Sequence, residues 1–410
     1  MNFSDSLKKW FYLQGTTPDL TNARVPVLDA NGNPTGSTPL ANLAHLMVRD
    51  VFYIDDNIDT PSQKITGNTN GTVLRYIRRH THRYLVKKTG DGTAAICQLD
   101  DTDSTKYFDG TTAALDGTEG DVMVKLPEFY YKCEETSTTH KWKVSLALSN
   151  QNGDMQHWDG TQLIGAYEGV VVDSNLYSRS GVASTGSVSQ ADFKTYARNR
   201  GTGYTIEKWQ QHNVYAMLFY AQYATTDSQG TCGSGTNSST KATGGTNSLG
   251  MTDTVDGGNG DSGSINCWGI ENAWGNKAEW IDNVVVNYND GGNRFVITED
   301  DGTTRTVISQ VGNNEHVYPT KMVLGEKFDL IAAPDNVIGD TTIGYCDGFY
   351  LSKTSSRMVS VSSHIASADC GVAYAHASNS ASIGYTYYGA RLSFKGTLTD
   401  YDNVASFKAL

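Results

Sequence analysis

Basic charge is scarce in this chain. Its 32 Lys and Arg are outweighed by 44 Asp and Glu, for a formal net charge of −12. That disfavours a broad electrostatic grip on nucleic acid or on an anionic membrane, since both need a basic face. The acidity asks for no explanation beyond solubility. Long apolar runs are lacking too. No stretch approaches the roughly 20 residues of a membrane-spanning helix. Met1 to Trp10 carries Asp5, Lys8 and Lys9 and holds no apolar core of signal-peptide length, so the expected place of synthesis and first residence is a cytoplasm. Cysteine is sparse: Cys97, Cys133, Cys232, Cys267, Cys346 and Cys370 contain no Cys-x-x-Cys pair. No zinc site is expected, and buried free thiols are. Cys232 and Cys267 flank a Gly/Ser-rich stretch and could bridge, against which a reducing cytoplasm argues. Proline is rare, 8 against 42 Gly, which points to many turns between short elements rather than a collagen-like or disordered chain. With 38% hydrophobic residues over 410 positions, a sizeable core and two or three domains fit.

What is present falls into segments. Val25 to Leu28 is a short apolar run, and Asp29 to Pro34 holds the turn signal Asn31-Gly32. Thr38 and Pro39 read as the N-cap and first turn of a helix, with Leu40, Leu43, Ala44 and Met47 on one face. Pro61 to Gly71 reads as a linker. The division is then an N-terminal segment over 1–71, too small for its own core, and a main domain over 72–410. Val73 to Val86 reads as helix then strand, its Arg75, Arg78, Arg79 and Arg83 forming a solvated face. Asp121 to Lys132 and Lys141 to Leu148 alternate with the period of half-buried strands around a polar turn, which predicts a hairpin. Ser189 caps one helix that Gly201 stops, and Thr205 caps a second, nearly all-buried helix containing His212 as a hydrogen-bonded core residue. Residues 225–264 are almost entirely Gly, Ser, Thr and Asn, and read as a long loop or insertion. Asn289 to Gly292 turns a further hairpin between Val284-Val285-Val286 and Phe295-Val296-Ile297.

Between these lies a dense aromatic run from Asn266 to Asp282 with Trp268, Trp274 and Trp280. Its Trp274-Gly275-Asn276-x-x-Glu279-Trp280 resembles the Gly-Asn-x-x-Glu-Trp signature of the formylglycine-generating-enzyme-like branch of the C-type lectin fold. Tyr388-Gly389-Ala390-Arg391-Leu392-Ser393-Phe394 resembles the Gly-x-Arg-Leu closing strand of that branch. The resemblance covers roughly residues 73–396. It implies an α+β, C-type-lectin-like fold with insertions, preceded by a small N-terminal docking segment. The branch includes the variable proteins of diversity-generating retroelements, many of them phage proteins, in which a patch near the C-terminus is rewritten while the fold stays constant.

Composition points to a binding face in the same place. From Ile343 to Gly396 there are six charged residues against eleven Ser and six Tyr. Tyr gives large, rigid, amphipathic contact area at low entropic cost, and Ser adapts its hydrogen bonds. The resemblance places the variable region at 343–394, with Arg357, Val359, Cys370, Gly371, Val372, Ala373, Gly389, Arg391 and Leu392 as framework. The candidate contacts are Tyr345, Asp347, Tyr350, Ser360, Ser362, Ser363, His364, Ser367, Asp369, Tyr374, His376, Ser378, Asn379, Tyr385 and Tyr387.

The resulting expectation is a non-catalytic receptor-binding protein of a phage tail tip. It would dock on other tail proteins through residues 1–71, act as a homotrimer, and bind a host bacterial surface protein or glycan. It would leave the host by lysis as part of the virion. No cofactor, metal, nucleic acid or membrane insertion is expected. Three alternatives stand beside it. A formylglycine-generating-enzyme-like enzyme would need two cysteines close in sequence, whereas Cys346 and Cys370 are far apart, and Glu279 reads as structural. A structural virion protein would show no affinity for cells. A calcium-dependent lectin would need carboxamide–proline–carboxylate and Trp-Asn-Asp triplets; Ala333-Pro334-Asp335 is the nearest match and lacks the carboxamide.

Overall fold

The computed structural model describes residues 24–28, 34–39, 48–150, 152–238, 240–255, 263–289, 292–309, 315–335, 337–363 and 367–410. Among the described residues, three large sheets, four two-stranded ones and a few helices make a mixed α+β architecture dominated by strands. A five-stranded antiparallel sheet has the order Gln156–Trp158, Phe129–Glu135, Lys141–Ala147, Arg49–Asp55, Ile65–Gly67. A seven-stranded sheet runs Tyr204–Ile206, Leu392–Lys395, Gln162–Gly165, Asp121–Lys125, His82–Gly90, Thr93–Gln98, Thr397–Asp400. Its last strand lies parallel to Thr93–Gln98, so the chain closes where the seven-stranded sheet began. The third sheet runs Thr304–Ile308, Gly292–Thr298, Ala278–Asn289, Arg357–Val361, Ala375–Asn379, Phe349–Leu351, Glu315–Val317, with Tyr388–Gly389 parallel to the start of Ala278–Asn289.

The helix Trp209–Tyr223 ties two of these sheets together. Val214 to Ala221 are buried except for a sliver of Tyr215. Gln210 donates to the Tyr131 hydroxyl of the five-stranded sheet at 2.7 Å, while Trp209 packs on Phe295 of the third. His212 is buried, its Nε2 2.9 Å from the Val372 carbonyl, and burial pushes its pKa down to about 4. In the other helix, Ser189 accepts from the Asp192 amide at 3.1 Å, and Phe193 and Ala197 face the core.

Several expectations shift. Pro61 to Gly71 is not a linker: Pro61–Lys64 is a short helix and Ile65–Gly67 pairs with Arg49–Asp55, which itself pairs along its whole length with Lys141–Ala147, and Phe52 and Ile54 are fully buried. The alternation in that segment fills a core, so the main domain begins before residue 72. Thr38 and Pro39 end a strand paired with Arg24–Leu28 instead of starting a helix; Pro39 sits at the hairpin's outer end, where its missing N–H costs least. Leu40, Leu43, Ala44 and Met47 lie outside the described residues. Asp121 to Lys132 is two strands in two different sheets, separated at Leu126-Pro127, and only Phe129–Glu135 forms the hairpin with Lys141–Ala147. Thr205 caps nothing: it lies in Tyr204–Ile206, which pairs with Leu392–Phe394, and the helix starts at Trp209, where the Gln211 side chain accepts from the Lys208 amide at 2.9 Å. Arg83 is a core residue, fully ligated by the Gly269 carbonyl, Ser104, Thr246 and Asn266. The Gly/Ser-rich stretch supplies one of those ligands and is threaded through the fold by polar contacts. Its Thr226, Ser228, Gln229, Thr243 and Thr246 are buried without apolar side chains.

All six cysteines are buried and unbridged, and the neighbouring Cys232, together with burial, pushes the Cys267 thiol well above its ordinary range. No helix among the described residues is long and apolar enough to cross a membrane.

Candidate functional site

Side chains alternate between the two faces of a strand, so adjacent residues in Ala278–Asn289 serve opposite faces. Glu279 and Trp280 show this directly. Glu279 pairs in register with Val361, which pairs with Ala375, which pairs with Phe349, which pairs with Val317. All five are buried, so this row is the core face. Trp280 pairs with Ser360, then His376, Tyr350 and His316 in the same way. That second row is polar and aromatic: Ser360, His376 and His316 line a groove, Tyr350 stacks beside His376, and Trp280 lies buried beneath Tyr388.

The core row anchors the site. Arg391 grips Glu279 with two hydrogen bonds, Nη2 to Oε1 at 2.7 Å and Nε to Oε2 at 3.0 Å, and donates to the carbonyls of Gly165, Glu271 and Asn272. Both side chains are essentially inaccessible. Burial pushes the Glu279 carboxyl up, and the bidentate guanidinium pulls it back. Glu168 and Glu207 share the same field and are pushed up to about 8 by burial and by the charge of Glu279. Asn276 donates to Glu168, and Trp274 Nε1 donates to the Gly233 carbonyl at 2.8 Å. The tryptophan motif thus locks the closing strand and the Gly/Ser-rich insertion to the same sheet.

The groove encloses about 490 Å³. Ser360, Ser363, Ser367, Asp369, Tyr374, His376, Ser378, Asn379, Tyr385 and Tyr387 line it, together with Ala278, His316, Cys370 and Tyr388. In Ala375–Asn379 the small Ala375 and Ala377 point into the core while His376 and Ser378 face the groove. Tyr388 stacks on Trp280 at 4.3 Å, Tyr350 on His376 at 4.8 Å, and Tyr385 on Tyr387 at 5.2 Å. Asn379 Nδ2 donates to the Tyr388 hydroxyl at 2.7 Å, and that hydroxyl lies 3.4 Å from His376 Nδ1. Burial, with the nearby His316, pushes His376 down to about 4, so it is neutral at pH 7; burial pushes Tyr388 up to about 12.

Buried polar contacts hold the groove walls. Asp347 accepts from the Gly371 and Ala373 amides at 2.7 and 2.8 Å. Ser228 Oγ accepts from the Val372 amide, and Gln229 bonds both the Cys370 amide and the Ser367 carbonyl. A Cβ on Gly371 would sit 2.2 Å from Ser228 Oγ and 2.6 Å from an Asp347 carboxylate oxygen, so only glycine fits. The opposite wall, Tyr385 to Tyr388, is pinned where the Ala278 amide donates to the Tyr387 carbonyl and the Ser187 amide to the Tyr385 carbonyl, both at 2.9 Å.

His316, Asp369 and Cys370 stand together but in an order that does not activate a nucleophile. The Cys370 thiol donates to one Asp369 oxygen at 3.4 Å and His316 Nε2 meets the other at 3.2 Å. The carboxylate separates thiol from imidazole, and burial holds the thiol well above its usual range. Among the described residues there is no group of three or more His, Cys, Asp or Glu able to hold a metal ion.

Of the candidate contacts, ten line the groove and Tyr350 shares its face. Three are removed from it. Tyr345 is fully buried against Tyr220 with its hydroxyl on Asp56 at 2.7 Å. Asp347 is the buried loop support just described. Ser362 is buried with φ +59. Each sits at a turn or core-facing register that composition does not reveal. His364 lies outside the described residues. The structure adds His316, Ala278, Cys370 and Tyr388. Cys370 reads as framework from the sequence, and nothing local marks His316: only its pairing with Tyr350 brings it in. No family model matches the chain, and no curated protein matches it.

Proposed function

We propose that this chain is a non-catalytic receptor-binding protein of the phage tail-tip type, with a C-type-lectin-like domain that presents the groove to a host bacterial surface ligand. The observation that carries the reading is the cross-strand row Trp280, Ser360, His376, Tyr350 and His316. It puts a rigid, nearly uncharged Tyr/Ser/His face on a sheet whose opposite face is fixed by Glu279 and Arg391. Rigid aromatic contacts with adaptable hydroxyls are the composition of recognition surfaces. The C-type-lectin-like reading draws support from the closing strands, which return to the seven-stranded sheet beside Gln162–Gly165 and Thr93–Gln98 and are clamped to the tryptophan motif through Arg391. Diversification of the face, trimer formation, docking through the N-terminal segment and residence in the virion belong to the same proposal, and rest on the resemblance of the two motifs. The separation of Cys370 from His316 by Asp369 weighs against a thiol enzyme.

The test is binding of fluorescently labelled protein to a panel of intact bacterial strains, beside a variant with Tyr350, Tyr374 and Tyr387 all replaced by Ala. Strain-selective binding that disappears in a still-folded variant is the expected result. Equal binding by both proteins would remove the groove from the function; no binding to any strain would favour a structural virion part.

A further inference from the structure

The groove's chemistry is selective about what it can hold. Among the described residues no Lys or Arg lines it, and the one carboxylate among them, Asp369, is already engaged by His316 and by the Cys370 thiol. His376 is neutral at pH 7. A phosphorylated or carboxylated ligand would therefore lose hydration without meeting a free counter-charge. Ala375–Asn379, which crosses the groove, offers an extended peptide no free edge, because it is paired on one side with Phe349–Leu351 and on the other with Arg357–Val361. The enclosed space, about 490 Å³, is of the size that takes a small ligand or the tip of a larger one.

The lining instead offers hydroxyls and an amide that both donate and accept, from the partly exposed Ser367, Ser378 and Asn379, beside flat Tyr rings. Tyr385, 45% exposed and stacked on Tyr387, presents an aromatic face at the mouth. We infer that the groove takes an uncharged saccharide unit, with one C–H face of a pyranose laid on Tyr385 and its hydroxyls bonded by the Ser and Asn side chains. This rests on the receptor-binding reading and narrows the ligand from any surface molecule to a neutral glycan. No metal takes part, so chelators leave binding unchanged.

The test uses the full chain and a panel of methyl glycosides of glucose, galactose, mannose, rhamnose and N-acetylglucosamine, observed by saturation-transfer NMR with 5 mM EDTA present. At least one glycoside should receive transfer, strongest at the C–H protons of one ring face. Tyr385→Phe should retain it, and Tyr385→Ala should weaken affinity by about tenfold. Because Tyr385 is half exposed, neither change disturbs the core. No transfer from any glycoside, or equal affinity in Tyr385→Ala, overturns the inference. A second arm treats strains that bind the protein with periodate or with proteinase K. Loss after periodate and survival of proteinase K supports a saccharide; the reverse overturns the saccharide and leaves the receptor-binding reading standing. Absence of binding to every strain overturns the receptor-binding reading, and the glycoside titration alone then decides the saccharide.

Discussion

Replacing Arg391 by Met tests the clamp on which the groove depends. The guanidinium makes two bonds to Glu279 and three to main-chain carbonyls, all out of reach of water. Met fills most of the volume but leaves Glu279 as a buried carboxyl without a cation, beside Glu168 and Glu207. Breaking a buried pair by removing one partner costs about 3–5 kcal/mol, and each main-chain acceptor left dry adds about 1 kcal/mol where the core cannot relax. A loss on the order of 5 kcal/mol corresponds to a fall in Tm of roughly 7 °C for a domain of this size. The diagnostic arm is the double variant Glu279→Met with Arg391→Met. It removes the stranded carboxyl, so it should recover about 1–3 kcal/mol relative to Arg391→Met alone. Thermal unfolding followed by near-ultraviolet circular dichroism reads all three proteins. If Arg391→Met stays within about 1 kcal/mol of wild type, or if the double variant is no more stable than Arg391→Met, the clamp does not hold the fold as argued.

Stability should fall as pH rises above neutrality. Glu168, Glu207 and Asp347 hold their protons to about pH 8 in the fold, against 4.5 and 3.8 for the free side chains. Between those limits the folded chain binds more protons than the unfolded one, so their contribution is complete below about pH 4 and is lost as pH climbs to 8. His212 and His376 act oppositely, losing stability as pH falls from 6.5 to about 4. Urea midpoints should therefore decline from pH 6.5 to 8.5, by about 2 kcal/mol per carboxyl at most, and Glu168→Gln should flatten the decline; a rise over that range contradicts the burial argument. Gly371→Ala should destabilise by about 1–3 kcal/mol and disrupt the groove wall, because its Cβ meets Ser228 and Asp347; a ligand-binding assay on the folded protein checks this. Ser228→Ala should strand the Val372 amide at a cost of about 1–3 kcal/mol in urea unfolding, although it lies in a stretch whose composition suggests a dispensable loop.

Much of the outline was legible. The period of the Val284-to-Ile297 hairpin, the Ser189 cap and the apolar run Val214 to Ala221 within the helix Trp209–Tyr223 are local signals, set by side-chain spacing and capping chemistry. The low charge and high Tyr and Ser content of 343–394 pointed to the strip of chain that builds the groove. Composition could not sort that strip by direction. Tyr345 and Tyr350 look alike in sequence, yet one faces Asp56 in the core and the other His376 on the groove side.

Sequence alone therefore determined the elements set by local periodicity and capping, and singled out the Tyr/Ser-rich segment by its composition and the Trp274-to-Trp280 and Tyr388-to-Phe394 stretches by their resemblance to a known signature. The first follow from side-chain spacing and residue chemistry within short windows. Tertiary structure decided what long-range register alone can decide. It drew residues 49–67 into the core sheet and made the Gly/Ser-rich insertion a polar scaffold for the 367–373 wall. It also placed His316 beside Tyr350 and set Glu279 and Trp280 on opposite faces of one strand. A one-residue change in that pairing would exchange the two faces, and no local pattern fixes it.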